Sequence, residues 1–350
     1  MAAVPAGVRA AQPAVDLLFF PTGGGKTEAY LGLTAYTFAI RRLQGTVNEG
    51  ADARSGADGV AVLMRYTLRL LTAQQFQRAA ALVCAAEVVC RDDEATWGAT
   101  PSRIGLWVGG KVSPNWWGDA DEQVAEAREA GKGRRVNVLQ TLSCPWCGTA
   151  LAGHRDLPSE EVPRRVFLFC PNAEGEYACP FSRTRCDEGL PVLTVDEEIY
   201  RYTPALVIAT VDKLAQLPWR GFAGMLFGRV REQCPRHGYR HADLDGRTGC
   251  TDRHNAKGRW AAVRSRPVVR LRPPDLMIQD ELTHLGRVRH HRRPVRGGGR
   301  RAVHLAGAGR RDRPEDRRVH RDHQAGPRAG ARRLRPAAAD LPAAGSGRRR

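Results

Sequence analysis

The sequence lacks any long apolar segment. No run approaches the roughly 18 apolar residues that are needed to cross a bilayer. Near the amino terminus, only Arg9 precedes the short apolar run at residues 15–20, and Asp16 interrupts that run. The run is too short for a signal peptide and is typical of a buried strand. These absences predict a cytoplasmic protein with no membrane partner.

Cysteine is absent beyond residue 250, so all nine cysteines lie in the first part of the chain. Cys84 and Cys90 belong to an apolar helical stretch, whereas the others lie in Cys-Pro and CxxC contexts. In a chain without an export signal, this pattern favours metal binding over disulfide bonds.

Positive charge is distributed unevenly along the chain. The formal net charge of +18 is in the range of nucleic-acid-binding proteins. However, residues 283–350 contain 20 arginines, no lysine and five acids, which give a net charge of +15. Residues 1–282 therefore carry only +3. For this larger part of the chain, only local basic patches can argue for binding to DNA.

The carboxyl-terminal residues 283–350 have a composition of their own. Beyond Thr283 there is no Phe, Trp, Tyr, Ile, Met, Lys, Asn or Cys. One interpretation is a basic, disordered arm that binds nucleic acid. We favour a translation of GC-rich DNA in a shifted frame. Reverse translation of residues 312–325, read one base later, gives an apolar strand followed by Ser-Thr-Ala-Thr, and we predict an indel at codons 282–283.

Short apolar segments alternate with helical stretches up to residue 282. The predicted strands are residues 15–20, 60–67, 106–108, 205–210 and 275–279. The predicted helices follow the first two strands to about residues 43 and 87, cover 119–130, and follow the fourth strand to residue 217. Strands that are apolar throughout predict a parallel sheet covered on both faces. The predicted fold is an α/β, RecA-like P-loop NTPase domain.

A glycine-rich loop lies between the first predicted strand and the helix that follows it. The loop reads Pro-Thr-Gly-Gly-Gly-Lys-Thr, and its predicted nucleotide-binding residues are Thr22, Gly23, Gly24, Gly25, Lys26 and Thr27. Glycines let backbone N–H groups approach phosphates closely, and a helix amino terminus adds partial positive charge. Lys26 can reach the β- and γ-phosphates of ATP, and the Thr27 hydroxyl can bind Mg²⁺. The alternative is a glycine-rich turn that contains a lysine by coincidence and binds no nucleotide.

An apolar strand ends in paired carboxylates at Asp280 and Glu281. Parallel strands place their carboxyl ends at the crevice that holds the phosphate loop. Asp280 is expected in the Mg²⁺ shell, and Glu281 is expected to orient or deprotonate the attacking water. With Lys26, they form the predicted catalytic set. The alternative is a solvated strand end.

Two further strand ends carry residues suited to nucleic acid. Arg65 and Thr67 close the second strand, and Thr210 closes a later one in the segment Ala-Thr-Val-Asp-Lys-Leu. Arginine and hydroxyl groups bind backbone phosphates. Each of these segments is weak evidence alone, because a surface arginine is usually only solvated.

Taken together, these segments resemble superfamily 2 helicases, and in particular the helicase component of the DISARM anti-phage defence system, the DrmA family. The resemblance rests on PTGGGKTEAYLGL, VLMRYTLRLLTAQQFQRA, CPWCG, ATVDKL and PPDLMIQDEL, and it covers residues 15 to about 282. It implies ATP-driven action on DNA together with other defence-system subunits. Family members carry DELH at the acidic motif, whereas here Thr283 precedes His284. Family members also have a second RecA-like domain.

Four cysteines predict a structural zinc site. Cys144 and Cys147 form a CxxC knuckle, and Cys170 and Cys179 supply the second pair. Thiolates at such spacing suit tetrahedral Zn²⁺. Cys186 is an alternative ligand, and reduced buried thiols are the alternative to metal. A second, weaker set consists of Cys234, His237, Cys250 and His254.

The sequence thus predicts four regions. Residues 1–138 and 192–282 form the first and second parts of the RecA-like domain, residues 139–191 form a zinc insert, and residues 283–350 form a disordered, frame-shifted tail. We expect a fragment of an ATP-dependent DNA helicase that uses ATP, Mg²⁺ and Zn²⁺ and is inactive alone. The alternative is a zinc-containing nucleic-acid-binding protein whose nucleotide site is inert or regulatory.

Overall fold

The computed structural model of the protein describes residues 24–49, 52–66, 73–131 and 135–280. The predicted strand at residues 15–20 and the tail at 283–350 lie outside these ranges. Within the described ranges, no helix combines the length and the apolar character required to traverse a bilayer.

The described residues form an α/β structure. The helices are α1 Lys26–Gln44, α2 Ala73–Asp92, α3 Glu94–Trp97, α4 Trp117–Ala130, α5 Gly153–Asp156, α6 Asp196–Tyr202, α7 Val211–Ala215 and α8 Ala242–Thr248, with 3₁₀ turns at Leu217–Trp219 and Gly221–Phe227. The strands are β1 Thr46–Glu49, β2 Asp52–Ser55, β3 Val62–Tyr66, β4 Ile104–Trp107, β5 Ser159–Glu160, β6 Arg165–Val166, β7 Val192–Leu193, β8 Leu206–Thr210, β9 Glu232–Cys234, β10 Gly238–Tyr239, β11 Arg253–His254, β12 Val263–Arg264, β13 Arg266–Pro267, β14 Arg270–Leu271 and β15 Leu276–Gln279.

A five-stranded sheet with the strand order β15-β3-β8-β4-β7 forms the centre of the structure. All four strand pairings are parallel, and Leu63 of β3 lies opposite both Val207 and Met277. Parallel strands need crossover connections, which explains why helices and inserts separate these strands in the chain. The parallel sheet that the sequence predicts is confirmed.

The sheet is covered on both faces because successive side chains of a strand point to opposite sides. Val62 and Met64 of β3 pack in one apolar cluster with α1, α2 and α4, whereas Leu63 packs in a second cluster. That second cluster contains α6 and the 3₁₀ turn at Gly221–Phe227. Strands β4 and β8 are therefore buried on both faces, as expected for a parallel sheet, whereas Met277 of the edge strand β15 is 62% exposed.

Helix α6 is the main element that the sequence analysis did not predict. Its sequence begins Asp-Glu-Glu, which favours a solvated loop or helix end, but Asp196, Glu197 and Glu198 are all buried. Basic groups from distant segments compensate them: Arg164 Nε lies 2.7 Å from Glu197 Oε1, and Arg165 Nε lies 3.9 Å from Glu198 Oε2. Burial of charged groups requires such partners.

The burial of Glu198 predicts a pH-dependent stability. Burial raises the pKa of Glu198 to about 7, against the opposing effect of Arg165. The folded protein thus binds this proton more tightly than the unfolded chain, whose carboxyl titrates at its usual value of 4.5. The stabilisation is present below about pH 4.5 and is lost as the pH rises to about 7, at up to about 1.4 kcal/mol per pH unit.

We expect Glu198→Gln to flatten this fall, since the amide can keep the hydrogen bond from the Val166 N–H without titrating. Denaturant titrations between pH 4.5 and 7.5 measure the free energy of unfolding of both proteins. Parallel curves for the two proteins would contradict the assignment.

Gly228 lies where the last 3₁₀ turn meets β14, in a backbone conformation that does not accommodate a side chain. Its φ is +77°, and a Cβ added there would lie 2.1 Å from the carbonyl oxygen of Leu271. We expect Gly228→Ala to destabilise the fold by about 2–4 kcal/mol, because both the left-handed backbone and the clash oppose a side chain. Gly32→Ala is the matched control: no atom lies within 4 Å of its added Cβ, and alanine favours a helix interior by about 0.5–1 kcal/mol. Denaturant midpoints measure both, and equal midpoints would refute the prediction.

Candidate functional site

The described end of the glycine-rich loop leads directly into helix α1. Gly25 adopts a left-handed backbone with φ 77°, and α1 begins at Lys26 without a side-chain cap. The first N–H groups of a helix have no partner within the helix, and they lie at the positive end of its dipole. This end of α1 therefore offers backbone donors and partial positive charge to an anion. The predicted site residues Thr22 and Gly23 lie outside the described residues.

Lys26 and Asp280 meet at this end of α1, although 254 positions separate them in the chain. Lys26 Nζ lies 2.7 Å from Asp280 Oδ1. Asp280 directly follows β15, its backbone N–H donates to the Arg65 carbonyl, and it is 8% exposed. The structure thus brings together two of the three residues of the predicted catalytic set. Glu281, the third, lies outside the described residues.

The opposite end of α1 is fixed to the start of the same strand. Arg41 is 2% exposed, and its guanidinium lies 2.5 Å from Asp275 Oδ2. It also donates to the carbonyls of Asp58, Arg272 and Pro273. Helix α1 therefore contacts β15 at both ends, with Lys26 beside the residue that follows the strand and Arg41 beside the residue that precedes it.

Two tyrosines lie within reach of the Asp280 charge. Burial, followed by the Asp280 charge, raises the pKa of Tyr66 to about 12. Burial and then Asp280 also raise the pKa of Tyr30. Asp280 thus has two phenol groups in its surroundings, and the pKa of each is raised. Sequence reasoning did not single out these tyrosines, since nothing in the local pattern ties them to Asp280.

Two of the three predicted nucleic-acid residues, Arg65 and Thr210, lie at the same edge of the sheet. Arg65 lies beside Gln279 of β15 and donates to its side-chain oxygen at 3.2 Å. Thr210 ends β8 opposite Tyr66 and is 1% exposed. Thr67 lies outside the described residues. The carboxyl ends of β15, β3 and β8 thus meet at one edge, as parallel pairing requires.

Lys213 has a role that the sequence did not reveal. It is buried, and its ammonium donates to Asn115 Oδ1 at 2.9 Å and to Asp196 on helix α6. Burial raises the pKa of Asp196 to about 6, while Lys213 opposes that shift. This lysine thus fixes the segment after β8 to α6.

A cluster of four thiols joins distant parts of the cysteine-rich segment. The Sγ atoms of Cys144, Cys147, Cys170 and Cys179 all lie within 4.8 Å of one another. Cys144 lies 3.8 Å from Cys179, and Cys147 lies 3.5 Å from Cys170. A tetrahedral ion with Zn–S bonds of about 2.3 Å would need S–S separations of roughly 3.8 Å. We call this group the four-thiol cluster, and its geometry can hold a metal ion.

The protonation of the four-thiol cluster also favours a cation. The Cys179 thiol, together with the backbone N–H groups of Trp146 and Cys147, lowers the pKa of Cys144 to about 5. Burial raises the pKa of Cys170 to about 12, and the contact with Cys144 raises that of Cys179. Cys144 thus ionises readily, whereas Cys170 and Cys179 hold their protons, and a bound cation would favour the thiolate form of each. Cys186, the alternative ligand, is not part of the cluster.

A second cluster consists of two thiols and two imidazoles. The ligand atoms of Cys234, His237, Cys250 and His254 also lie within 4.8 Å of one another. Cys234 Sγ lies 3.5 Å from His237 Nδ1, and Cys250 Sγ lies 3.6 Å from His254 Nε2. Cys250, and then His237, lower the pKa of Cys234 to about 3. We call this group the Cys-His cluster, and it also can hold a metal ion.

Comparison with known proteins gives one informative similarity. No family model matches the chain. The chain is similar to a protein of the DISARM system. This relative is the DISARM protein DrmA of Bacillus paralicheniformis, and the two sequences are 39% identical over 273 residues. The match covers 77% of this chain but only 23% of the relative, so the chain spans about a quarter of the length of DrmA. The resemblance to DrmA that the motifs indicate is confirmed.

Proposed function

We propose that residues 15–282 form the ATP-binding, RecA-like motor domain of a helicase-type protein that acts on DNA in DISARM anti-phage defence. The contact between Lys26 and Asp280 carries this proposal. The similarity to DrmA supports the defence context, and action with other defence subunits follows from that system. Translocation on DNA would be a property of the full-length protein.

The residues present suit a magnesium-bound triphosphate. Phosphates would accept from the first N–H groups of α1 and from the Lys26 ammonium. Oxygen ligands suit Mg²⁺, and the chain offers them as the Asp280 carboxylate and the Thr27 hydroxyl. The Lys26–Asp280 ion pair neutralises both charges, and the nucleotide with its metal would give each charge a new partner. Glu281 would orient the attacking water.

Substitution of Lys26 tests the nucleotide site. We expect Lys26→Arg to weaken binding of a fluorescent ATP analogue at least about tenfold, because the bulkier guanidinium cannot place its donors where the Lys26 ammonium would contact the phosphates, and a hydrogen bond to a charged group typically contributes about 1.5–3 kcal/mol. Arginine keeps a charge beside Asp280, so the fold should survive. Fluorescence titration with Mg²⁺ measures the Kd.

Lys257→Arg is the matched control, because Lys257 is exposed and pairs with Glu161 at 2.7 Å. Its Kd should equal that of the native chain. Undiminished binding by Lys26→Arg and Lys26→Ala would overturn the nucleotide site.

We propose that both clusters hold structural Zn²⁺. Four thiolates, or two thiolates and two imidazoles, are zinc ligand sets. The short elements around them, such as β5 with β6 and β9 with β10, span only two or three residues each. Segments with such short elements cannot bury a large apolar core, and a bound metal ion can stabilise them in its place.

Metal content tests the zinc sites. The native chain should bind two zinc ions, and Cys147→Ser should bind one, because serine does not replace a thiolate ligand. Cys186→Ser is the control and should keep both ions, since Cys186 lies outside the four-thiol cluster. Mass spectrometry of the native protein and elemental analysis measure the stoichiometry. Equal zinc content in all three proteins would contradict the first site.

A second candidate function is a zinc-containing nucleic-acid-binding protein with an inert or regulatory nucleotide site. The two metal-binding clusters favour this alternative. It predicts that DNA retention is unaffected by ATP and by Lys26→Ala, whereas the motor proposal predicts that both change it.

A further inference from the structure

We propose that the segment around the Cys-His cluster presents a phosphate-binding surface for the nucleic-acid backbone, at the end of the sheet opposite the nucleotide site. This inference deepens the proposed function by locating a DNA contact that neither the motifs nor the comparison assigns. The surface consists of a cleft and an adjoining two-stranded ribbon.

Positive charge is concentrated in this segment. Residues 228–272 contain eleven arginines and one lysine against four acids, a net charge of +8. Residues 1–282 as a whole carry only +3, so the rest of that region is net acidic. Within residues 1–282, a basic segment in an otherwise net acidic region attracts polyanions at a defined place.

Five arginines line a cleft of about 970 Å³, four of them from this segment and one from β2: Arg229, Arg231, Arg240 and Arg270, with Arg54. Glu232 and Asp245 are the acids of the lining, and both pair with Arg240 at 3.0 and 2.9 Å. Arg229 and Arg231 are exposed and form no ion pair with any described residue. Guanidinium groups bind phosphate oxygens in a bidentate manner, so the cleft offers two unengaged phosphate ligands.

A ribbon beside the cleft adds a second, independent observation. Arg253 of β11 lies directly opposite Arg264 of β12, and both are exposed. Like charges opposite each other on paired strands are unfavourable, unless an anion lies between or above them. Asp252 lies close to both, but its carboxylate accepts a hydrogen bond from Arg240.

Arg240 makes the cleft and the ribbon continuous. Its guanidinium donates to Asp252 and, at 3.2 Å, to Ser265 Oγ, which are the neighbours of Arg253 and Arg264. Its other hydrogen bonds go to the cleft acids Glu232 and Asp245. Four basic groups thus lie around Arg240, which is itself held by several hydrogen bonds: Arg229, Arg231, Arg253 and Arg264.

The surface and the nucleotide site lie at opposite ends of β15. Leu271 and Pro273 line the cleft and precede the strand, whereas Asp280 follows it. Four strand residues separate the two ends by roughly 13 Å. Nucleic acid on this surface therefore leaves the Lys26–Asp280 site open.

The test compares two charge-reversed variants of the full chain, purified with zinc. The first is Arg229→Glu with Arg231→Glu. The control is Arg183→Glu with Arg185→Glu, which changes the net charge equally at two exposed arginines that are also two positions apart. Fluorescence anisotropy with labelled single-stranded and duplex DNA of mixed sequence, at several salt concentrations, measures the Kd and its salt dependence.

We expect the first variant to weaken DNA binding at least tenfold. Its slope of log K against log salt should be about two units shallower, since each lost phosphate contact removes roughly 0.9 in duplex DNA. The control should change the Kd less than threefold. Zinc content and ATP-analogue affinity should match the native chain in both variants, which separates this inference from a failure of the nucleotide site.

Amide hydrogen exchange gives a second readout in the native full chain. DNA should slow exchange within residues 228–272. Equal losses of affinity in the two variants, or no protection of this segment, would overturn the proposal. Binding of an acidic protein in place of DNA would then be the remaining use of the cleft.

Discussion

The two contacts between helix α1 and strand β15 set the geometry on which the candidate site depends. Lys26 pairs with Asp280 at one end, and Arg41 pairs with Asp275 at the other. Because the guanidinium of Arg41 is buried and also engages three backbone carbonyls, a shift of the strand along the helix would leave a charge unpaired in the interior, which is costly. The register of the strand thus determines where the carboxylate faces the lysine.

Each of the two ligand clusters is associated with one of the two apolar clusters, and so with one face of the sheet. Three thiols of the four-thiol cluster pack within the apolar cluster that contains α1 and α4. On the other face, Tyr239 and Leu244 pack with α6 and belong to the segment of the Cys-His cluster. Tyr239 also donates to Asp58 Oδ2 at 2.8 Å, just before β3. Each face of the sheet is therefore extended by a segment whose few apolar residues join the main core and whose turns converge on metal ligands.

The sequence predicted those parts of the fold that depend on local pattern. Strands β3, β8 and β15 are apolar runs of the right length, and α4 begins two residues before its predicted start. The two sets of candidate metal ligands were predicted from the spacing of cysteine and histidine.

Helix α6 was not predicted, because the basic residues that compensate its acids, Arg164, Arg165 and Lys213, come from other segments. The β1–β2 hairpin pairs with β14 more than 200 residues later, and no local pattern encodes that partner. The roles of all the predicted nucleotide-binding, catalytic and nucleic-acid residues stay predictions, and Thr22, Gly23, Thr67 and Glu281 also lie outside the described residues.

The unequal strength of the two ends of α1 has a mechanical consequence. Lys26, which pairs with Asp280, is partly exposed, whereas the buried guanidinium of Arg41 has four hydrogen-bonding partners. If a ligand draws Lys26 away from Asp280, the helix keeps its hold on the far end of the strand. The amino end of the helix would then rotate about the Arg41 contacts, and the displacement would be largest at Lys26, where the ligand binds.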